Sequence, residues 1–364
     1  MKLIIGADLV PFQVSEPLFI AGDGEALFGD LYPIIKSGDR FIVNLECALT
    51  TSENAIKKCG PNIKADPACA EGLAKLGVTD VMLSNNHTFD FGIEGLRETM
   101  ASLERAGIPY TGVGENDTDS RKIYYIEGEG KKIAFVNVCE HEYCYALADR
   151  MGTNPYDPYL TMHDIREAKK NADFVIVIYH GGKEHCQYPS PRLYRLAHEM
   201  VECGANVVLT QHSHCVGCYE EYEGGHILYG QGNLHFAWTA LGGLPGWSRS
   251  LLVELDIDET VKINFHPITI DLASAHATLA KGEKADEIML PFYERNETLK
   301  NGKWIEGWRA FCATAAQYSK AIERIYNPEN PDVPNEVFAH YLDCEAHADV
   351  WREKFKTWHH TNEC

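Results

Sequence analysis

Two histidines separated by one residue, His212 and His214, end the apolar run Val207-Val-Leu-Thr210. At strand spacing, alternate side chains share a face, so both imidazoles can reach metal from one side of a strand end. Four other apolar runs finish in comparable groups. The run from Leu3 ends at Asp8, the run from Phe41 carries Asn44 and Glu46, and the run from Val78 leads into Asn86 and His87; the run from Phe174 stops at His180. Hard carboxylate and amide oxygens mixed with borderline imidazole nitrogens suit Mn, Fe or Zn without selecting among them. Any one of these residues could be an ordinary polar side chain at a loop start; five strand ends together point to an assembled metal site.

Such a site needs elements that bring the strand ends to one edge, and in α/β sheets ligands bind beyond the carboxyl ends of the strands. Helices are expected from Asp66-Pro67 to Leu76, closed by Gly77, and from Ile93 to Ala106, closed by Gly107. Two more are expected from Thr161 or Met162 to Asn171 and from Pro191 to Cys203, with a hairpin joining Ile123–Ile126 to Lys132–Val138 through Gly128 and Gly130. Strands alternating with helices over residues 1–215, then further extended runs, imply an α/β sheet with a mixed or antiparallel completion. From about Leu272 the composition turns Ala-rich and aromatic. Helices are expected over Ile305–Ile325 and Val337–Trp358, with Pro328, Pro331 and Pro334 between them. The reading is therefore a core over residues 1–270 and a helical extension over 271–364 that packs on it, its Trp304, Trp308, Trp351 and Trp358 burying against the core.

The 364-residue chain is long enough for a substantial core. Its formal charge of −20, from 33 Lys and Arg against 53 Asp and Glu, argues against a nucleic-acid partner or an anionic membrane surface. It leaves room for an anionic small substrate, because bound cations reverse the local field. No stretch approaches the roughly 20 apolar residues of a spanning helix, and no signal-peptide pattern precedes the first strand, so a cytoplasmic protein is expected unless a leader has been removed. The 12 cysteines are scattered, which favours reduced thiols. Cys215 and Cys218, a lone C-x-x-C, read as buried or incidental.

The order of motifs resembles the poly-gamma-glutamate synthesis (CapA-type) family of the calcineurin-like metallophosphoesterase superfamily. The segments are Ile5-Gly-Ala-Asp8, Asn44-Leu-Glu46, Ser84-Asn-Asn-His-Thr-Phe-Asp-Phe-Gly92, His180-Gly-Gly-Lys-Glu184, Gln211-His-Ser-His214 and Leu228-Tyr-Gly-Gln-Gly-Asn-Leu-His-Phe236. The resemblance implies a four-layer α/β/β/α sandwich around two divalent metal ions. Asp8 and His214 would bind one ion, Asn86, His180 and His212 the other, with Glu46 bridging them and a bridging hydroxide as nucleophile. His87 would protonate the leaving group or stabilise developing charge, and Asp90 would orient its ring. Glu184 would be a partner of His180 or an additional ligand. The sequence departs from the superfamily at Val10, where a metal-binding histidine usually stands, at Ala7, and at Thr210-Gln211.

Among the remaining candidates, Asn233 could orient a loop or face substrate. Of Lys57, Lys58, Lys64, Lys183 and Arg249, the last-named arginine and Lys64 are the preferred holders of an anionic substrate. The implied activity is that of a phosphoesterase-like hydrolase in polyglutamate or capsule metabolism, acting on an anionic small molecule or polyglutamate. A non-hydrolytic accessory protein of polyglutamate synthesis or export, or a γ-glutamyl amidohydrolase, are the alternatives. The oligomeric state is left open.

Overall fold

The computed structural model describes residues 1–244, 246–325 and 335–356. Two sheets carry the fold. In the larger, the strands run in the order His276–Leu279, Val261–Asp271, Arg249–Ile257, Lys2–Leu9, Arg40–Leu45, Asp80–Met82, Tyr110–Thr111, and Asn233–His235 pairs beside the end of Lys2–Leu9. In the smaller, the order is Val216–Tyr222, Gly225–Gln231, Val207–Gln211, Phe174–His180, Lys131–Cys139, Tyr124–Gly128. In the smaller sheet the central strands are parallel and both edge strands antiparallel; in the larger, the strands from Lys2–Leu9 to Tyr110–Thr111 are parallel and those from Arg249–Ile257 to His276–Leu279 antiparallel, as expected for the mixed completion.

The sheets stack face to face. Leu3, Ile5, Ile42 and Val253 of one meet Ile133, Phe135, Ile176, Ile178 and Leu209 of the other in a continuous buried cluster. The outer face of the larger sheet, through Ile4, Val43 and Val81, is covered by the helices carrying Phe19, Leu73 and Leu103. The outer face of the smaller sheet, through Val136, Val175 and Val208, is covered by the helices carrying Ile165 and Leu196. This is a four-layer α/β/β/α sandwich. Burial of both faces explains why these strands read as continuous apolar runs instead of alternating ones.

Helices Gly92–Arg105, Leu160–Asn171 and Pro191–Glu202 lie where the sequence pattern puts them. The helix expected from Asp66 begins at Cys69, because the Asp66 carboxylate accepts from the Ala68 N–H and holds a turn before the first helical residue. The sheet continues through His276–Leu279, past residue 270, and the C-terminal helices begin at Glu283. These are Glu283–Lys300, Trp304–Thr314, Ala316–Ile325, Asn335–Asp343 and Glu345–Lys354. The expected long helices are thus each divided, at Ala315 and at Cys344. Trp304 and Trp308 are buried, whereas Pro328, Pro331, Pro334 and Trp358 lie outside the described residues. Among the described residues no helix is long and apolar enough to cross a membrane.

Candidate metal centre

Parallel pairing of Lys2–Leu9 with Arg40–Leu45 sets Asp8 opposite Asn44, and Glu46 follows just beyond the second strand. In the other sheet His180 closes its strand opposite Gln211. The carboxyl ends of the central strands of both sheets therefore open on one cleft. His212 and His214 arrive there by a different route from strand alternation. The strand ends at Gln211, and both histidines adopt left-handed backbone conformations, with φ of 86° and 53°. Such conformations cost a non-glycine residue about 1–3 kcal/mol each and persist where the surroundings over-determine them. The turn is tied down by the His212 N–H, which donates to Asp8 Oδ2 at 3.1 Å.

Three triads of potential ligand atoms form here, each with its atoms within 4.8 Å of one another: Glu46, His180 and His212; Asp8, Glu46 and His214; and Glu184, His212 and His214. Glu46 joins the first two. Its Oε1 lies 3.4 Å from His180 Nε2 and 3.9 Å from His214 Nε2. Both of its carboxylate oxygens are buried and neither has a hydrogen-bond partner among the described residues. Asn86 Oδ1 stands 2.8 Å from His180 Nε2, on the same side as Glu46. Asn44, held by Asn85 through its carbonyl, directs its amide at Asp8 Oδ1 (2.8 Å) and His180 Nδ1 (3.1 Å).

The electrostatics call for cations. Burial raises Asp8 to about 6, against its hydrogen bonds from Asn44 and His212. Burial, then repulsion from Asp8, Glu184 and Glu142, lifts Glu46 well above the ordinary carboxylate range. Burial and the neighbouring histidines hold His180 far below the usual imidazole value, and His214 is lowered to about 3, chiefly by burial. Neutral imidazoles beside crowded carboxylates are the form in which these groups bind metal, and divalent ions would remove the carboxylate repulsion. The residues present fit such ions: an orphaned, fully buried carboxylate between two imidazole groups has no hydrogen-bond partner among the described residues.

Beside the triads, His87 Nδ1 lies 2.7 Å from Asp90 Oδ2. Asp90 is fully buried; its other oxygen accepts from Lys58 Nζ at 2.5 Å, and Oδ2 also accepts from the Ile63 N–H at 2.6 Å. Asp90 is thereby fixed and in turn fixes the His87 ring, which lines a cavity of about 280 Å³ together with Asn86 and His212. Burial, then Lys58, lowers the His87 pKa.

The family profile of the bacterial capsule synthesis protein PGA_cap matches residues 12–237. The chain belongs to the PGA_cap family. Capsule biosynthesis protein CapA of Bacillus anthracis is 30% identical over 233 residues, covering 62% of this chain and 55% of that protein. PGA biosynthesis protein CapA of Bacillus subtilis is 28% identical over 260 residues, covering 69% and 66%. The chain thus spans between about half and two thirds of these relatives. A phosphatase from Mycoplasma pneumoniae of solved structure is 14% identical, with a TM-score of 0.47 over 74% of this chain and 93% of that one.

The remaining candidates are spread more widely. Asn233 is fully buried, with Oδ1 2.8 Å from His214 Nδ1 and its amide on the Trp247 carbonyl, so it orients a histidine and does not face the cavity. Glu184 lines the cavity. Lys64 and Arg249 stand away from it: Lys64 Nζ is taken by the Ser52 carbonyl and Glu53, and Arg249 is paired with Glu287 on the helix Glu283–Lys300. The lysines that do line the cavity are Lys58 and Lys183. Glu142, whose Oε1 is 3.4 Å from His212 Nε2, is absent from the sequence-based candidates although it follows a sixth apolar run, Lys131–Cys139. His340 and His347, from the C-terminal helices beyond the PGA_cap match, form the outer wall. Cys215 and Cys218 are buried free thiols.

Proposed function

We propose that this PGA_cap-family protein is a metal-dependent hydrolase, phosphoesterase-like, with a dinuclear centre, and that it serves polyglutamate or capsule metabolism. The observation that carries the reading is Glu46, a buried carboxylate without a hydrogen-bond partner among the described residues, close to imidazoles of two ligand groups at once. In this reading Asp8 and His214 would hold one divalent ion, Asn86, His180 and His212 would hold the other, and Glu46 would be shared between them. Bound there, the ions would supply an acidified water and Lewis-acid polarisation of the scissile group.

The chain's own residues do the rest. His87, with its Nδ1–H donating to Asp90, directs Nε2 at a leaving-group oxygen; as the imidazolium it gives that oxygen its Nε2 proton and is left as the neutral Nδ1–H form. Asp90 keeps that tautomer, and Lys58 holds Asp90 in place. Lys58 and Lys183 on the cavity wall are paired with Asp90 and Glu184, and Glu142 lines the same wall, so the pull on an anionic substrate would come from the bound ions. The capsule and PGA biosynthesis named for the Bacillus relatives suggests the setting.

The test is metal analysis followed by a panel of phosphomonoesters, phosphodiesters and γ-glutamyl amides, comparing wild type with His87→Ala and His212→Ala. Metal-dependent phosphoester cleavage lost in both variants supports the reading. Cleavage of γ-glutamyl amides alone would make the protein an amidohydrolase, and cleavage of nothing by the loaded protein would leave an accessory binding role.

A further inference from the structure

Among the described residues the Asp8, Glu46 and His214 triad gains no fourth His, Cys, Asp or Glu donor within its group, whereas its counterpart has Asn86 beside it. Val10 supplies none: it is fully buried in the apolar cluster of the larger sheet, and its N–H donates to the His235 carbonyl at 2.8 Å. The third triad offers a donor from elsewhere. A carboxylate oxygen of Glu184 lies within 4.8 Å of ligand nitrogens of both His212 and His214. Metal–donor bonds of about 2.0–2.2 Å place two donors on one ion up to about 4.4 Å apart, so small side-chain adjustments would let Glu184 and His214 share an ion.

The loop carrying Glu184 is built to stay there. The next residue, His185, takes a left-handed conformation (φ 61°), and its N–H donates to the Ser213 carbonyl at 2.8 Å, joining the loop to the centre of the histidine turn. On its far side the same loop is gripped by the C-terminal helices. Cys186 is buried among Trp308, Cys312, Tyr318 and Val350, and Ser190 Oγ donates to Asp349 Oδ2 at 2.5 Å. Within the loop, Lys183 Nζ lies 3.4 Å from the Glu184 carboxylate.

We infer that Glu184 is a metal ligand that completes the Asp8, Glu46 and His214 set, and that the C-terminal helices position it. This rests on the metal-centre reading above and not on the reaction assigned to it. The helices outside the PGA_cap match then hold the loop that completes the ligand set.

The experiment is titration of the full chain with MnCl₂ alone, read by calorimetry and by the EPR signal of free and coupled Mn(II). Wild type is expected to take two ions per chain with a coupled spectrum. Glu184→Gln, nearly isosteric, should keep one ion and lose the coupling. Asp349→Ala should weaken the second ion at least tenfold while the first is unchanged; Trp308→Leu, which thins the same seam, serves if Asp349→Ala does not fold. Two ions bound by Glu184→Gln at wild-type affinity, or fewer than two by wild type, would overturn the assignment. Unchanged binding in both seam variants would overturn the role of the helices. A wild type that binds two ions and cleaves no substrate would sink the hydrolase reading and leave this one intact.

Discussion

The side-chain carbonyl of Asn233 accepts from His214 Nδ1 at 2.8 Å, while the amide of Asn233 donates to the Trp247 carbonyl at 3.0 Å. The second bond settles which end of the amide faces the histidine, and the first settles which nitrogen of His214 is protonated. Nε2 is left bare toward Glu46. Partners of this kind fix the tautomer and ring angle of a metal-binding histidine, and their loss typically weakens metal affinity 10–100-fold. Asn233→Ala should therefore lower Mn(II) affinity by that factor in a calorimetric titration while secondary structure is retained. An unchanged dissociation constant would reduce Asn233 to a packing residue.

His87 and Asp90 make a prediction about leaving groups. If His87 protonates the departing oxygen, His87→Ala should lower kcat by about 10²–10⁴ for alkyl phosphates. For an aryl ester such as p-nitrophenyl phosphate, whose leaving group departs as a stable anion, the loss should be much smaller. Asp90→Asn should follow the same pattern, since the Asp90 carboxylate, held by Lys58 and the Ile63 N–H, is what presents the ring. Equal losses on both substrate types would point to ground-state binding instead.

How far the site could be read from sequence depends on where each residue sits. Asp8, Glu46, Asn86, His180, His212 and His214 all follow apolar β-branched runs, and parallel register alone brings such strand ends together, so their convergence was legible. The conformation of the histidine turn was not: strand spacing suggested alternation, and the backbone instead bends through two left-handed residues after Gln211. Lys58 over Lys64 was not legible either, because both lie in one irregular lysine-bearing stretch without periodicity. His340 and His347 sit on helices whose local pattern signals only an amphipathic surface, and no spacing rule connects them to a strand end in the other half of the chain.

Glu46 should show opposite effects in the two metal states. A buried carboxylate with no partner costs about 1–3 kcal/mol, so Glu46→Leu should raise the stability of the metal-free protein by about that amount. With metal at about 100 times its dissociation constant the wild type gains about 2.7 kcal/mol per bound ion, and the variant, without the bridging carboxylate, should gain far less. Chemical denaturation with EDTA and with Mn(II) measures both. Destabilisation in both states would mean that Glu46 is structural.

The contact between His141 and the helix Glu345–Lys354 should depend on pH. His141 Nδ1 lies 2.6 Å from Glu345 Oε1, and that carboxylate raises the imidazole pKa above 6.5, with lesser help from Asp343 and Cys139 and opposed by burial; Tyr145 packs edge-on against the ring. A pKa raised on folding means that the stabilisation is complete below 6.5 and disappears as pH rises through the folded value. Amide exchange of residues 345–354 should therefore show more opening above that window than intrinsic exchange chemistry explains, and His141→Gln should abolish the extra opening. A profile identical in wild type and variant would show that this pair does not hold the helix.

Arg192 anchors the same helix more firmly. Its guanidinium bonds Glu140 and, at 2.9 Å, Asp349, while Tyr179 donates to Glu140 at 2.8 Å and Ser190 to Asp349. Both carboxylates are almost fully buried, at 3% and 6% exposure; Glu140 follows the strand Lys131–Cys139 and Asp349 belongs to the helix Glu345–Lys354. Removing the cation leaves two buried carboxylates without their shared partner, a change that typically costs about 3–5 kcal/mol. Arg192→Ala should lose about that much, whereas the triple variant Arg192→Met, Glu140→Gln, Asp349→Asn, which removes the charges together, should recover most of it. Because Glu140 precedes Glu142 and Ser190 closes the loop of Glu184, the single variant should also weaken Mn(II) binding, and the triple variant should restore it in proportion to its stability. Restored stability without restored binding would separate the scaffold from the metal centre.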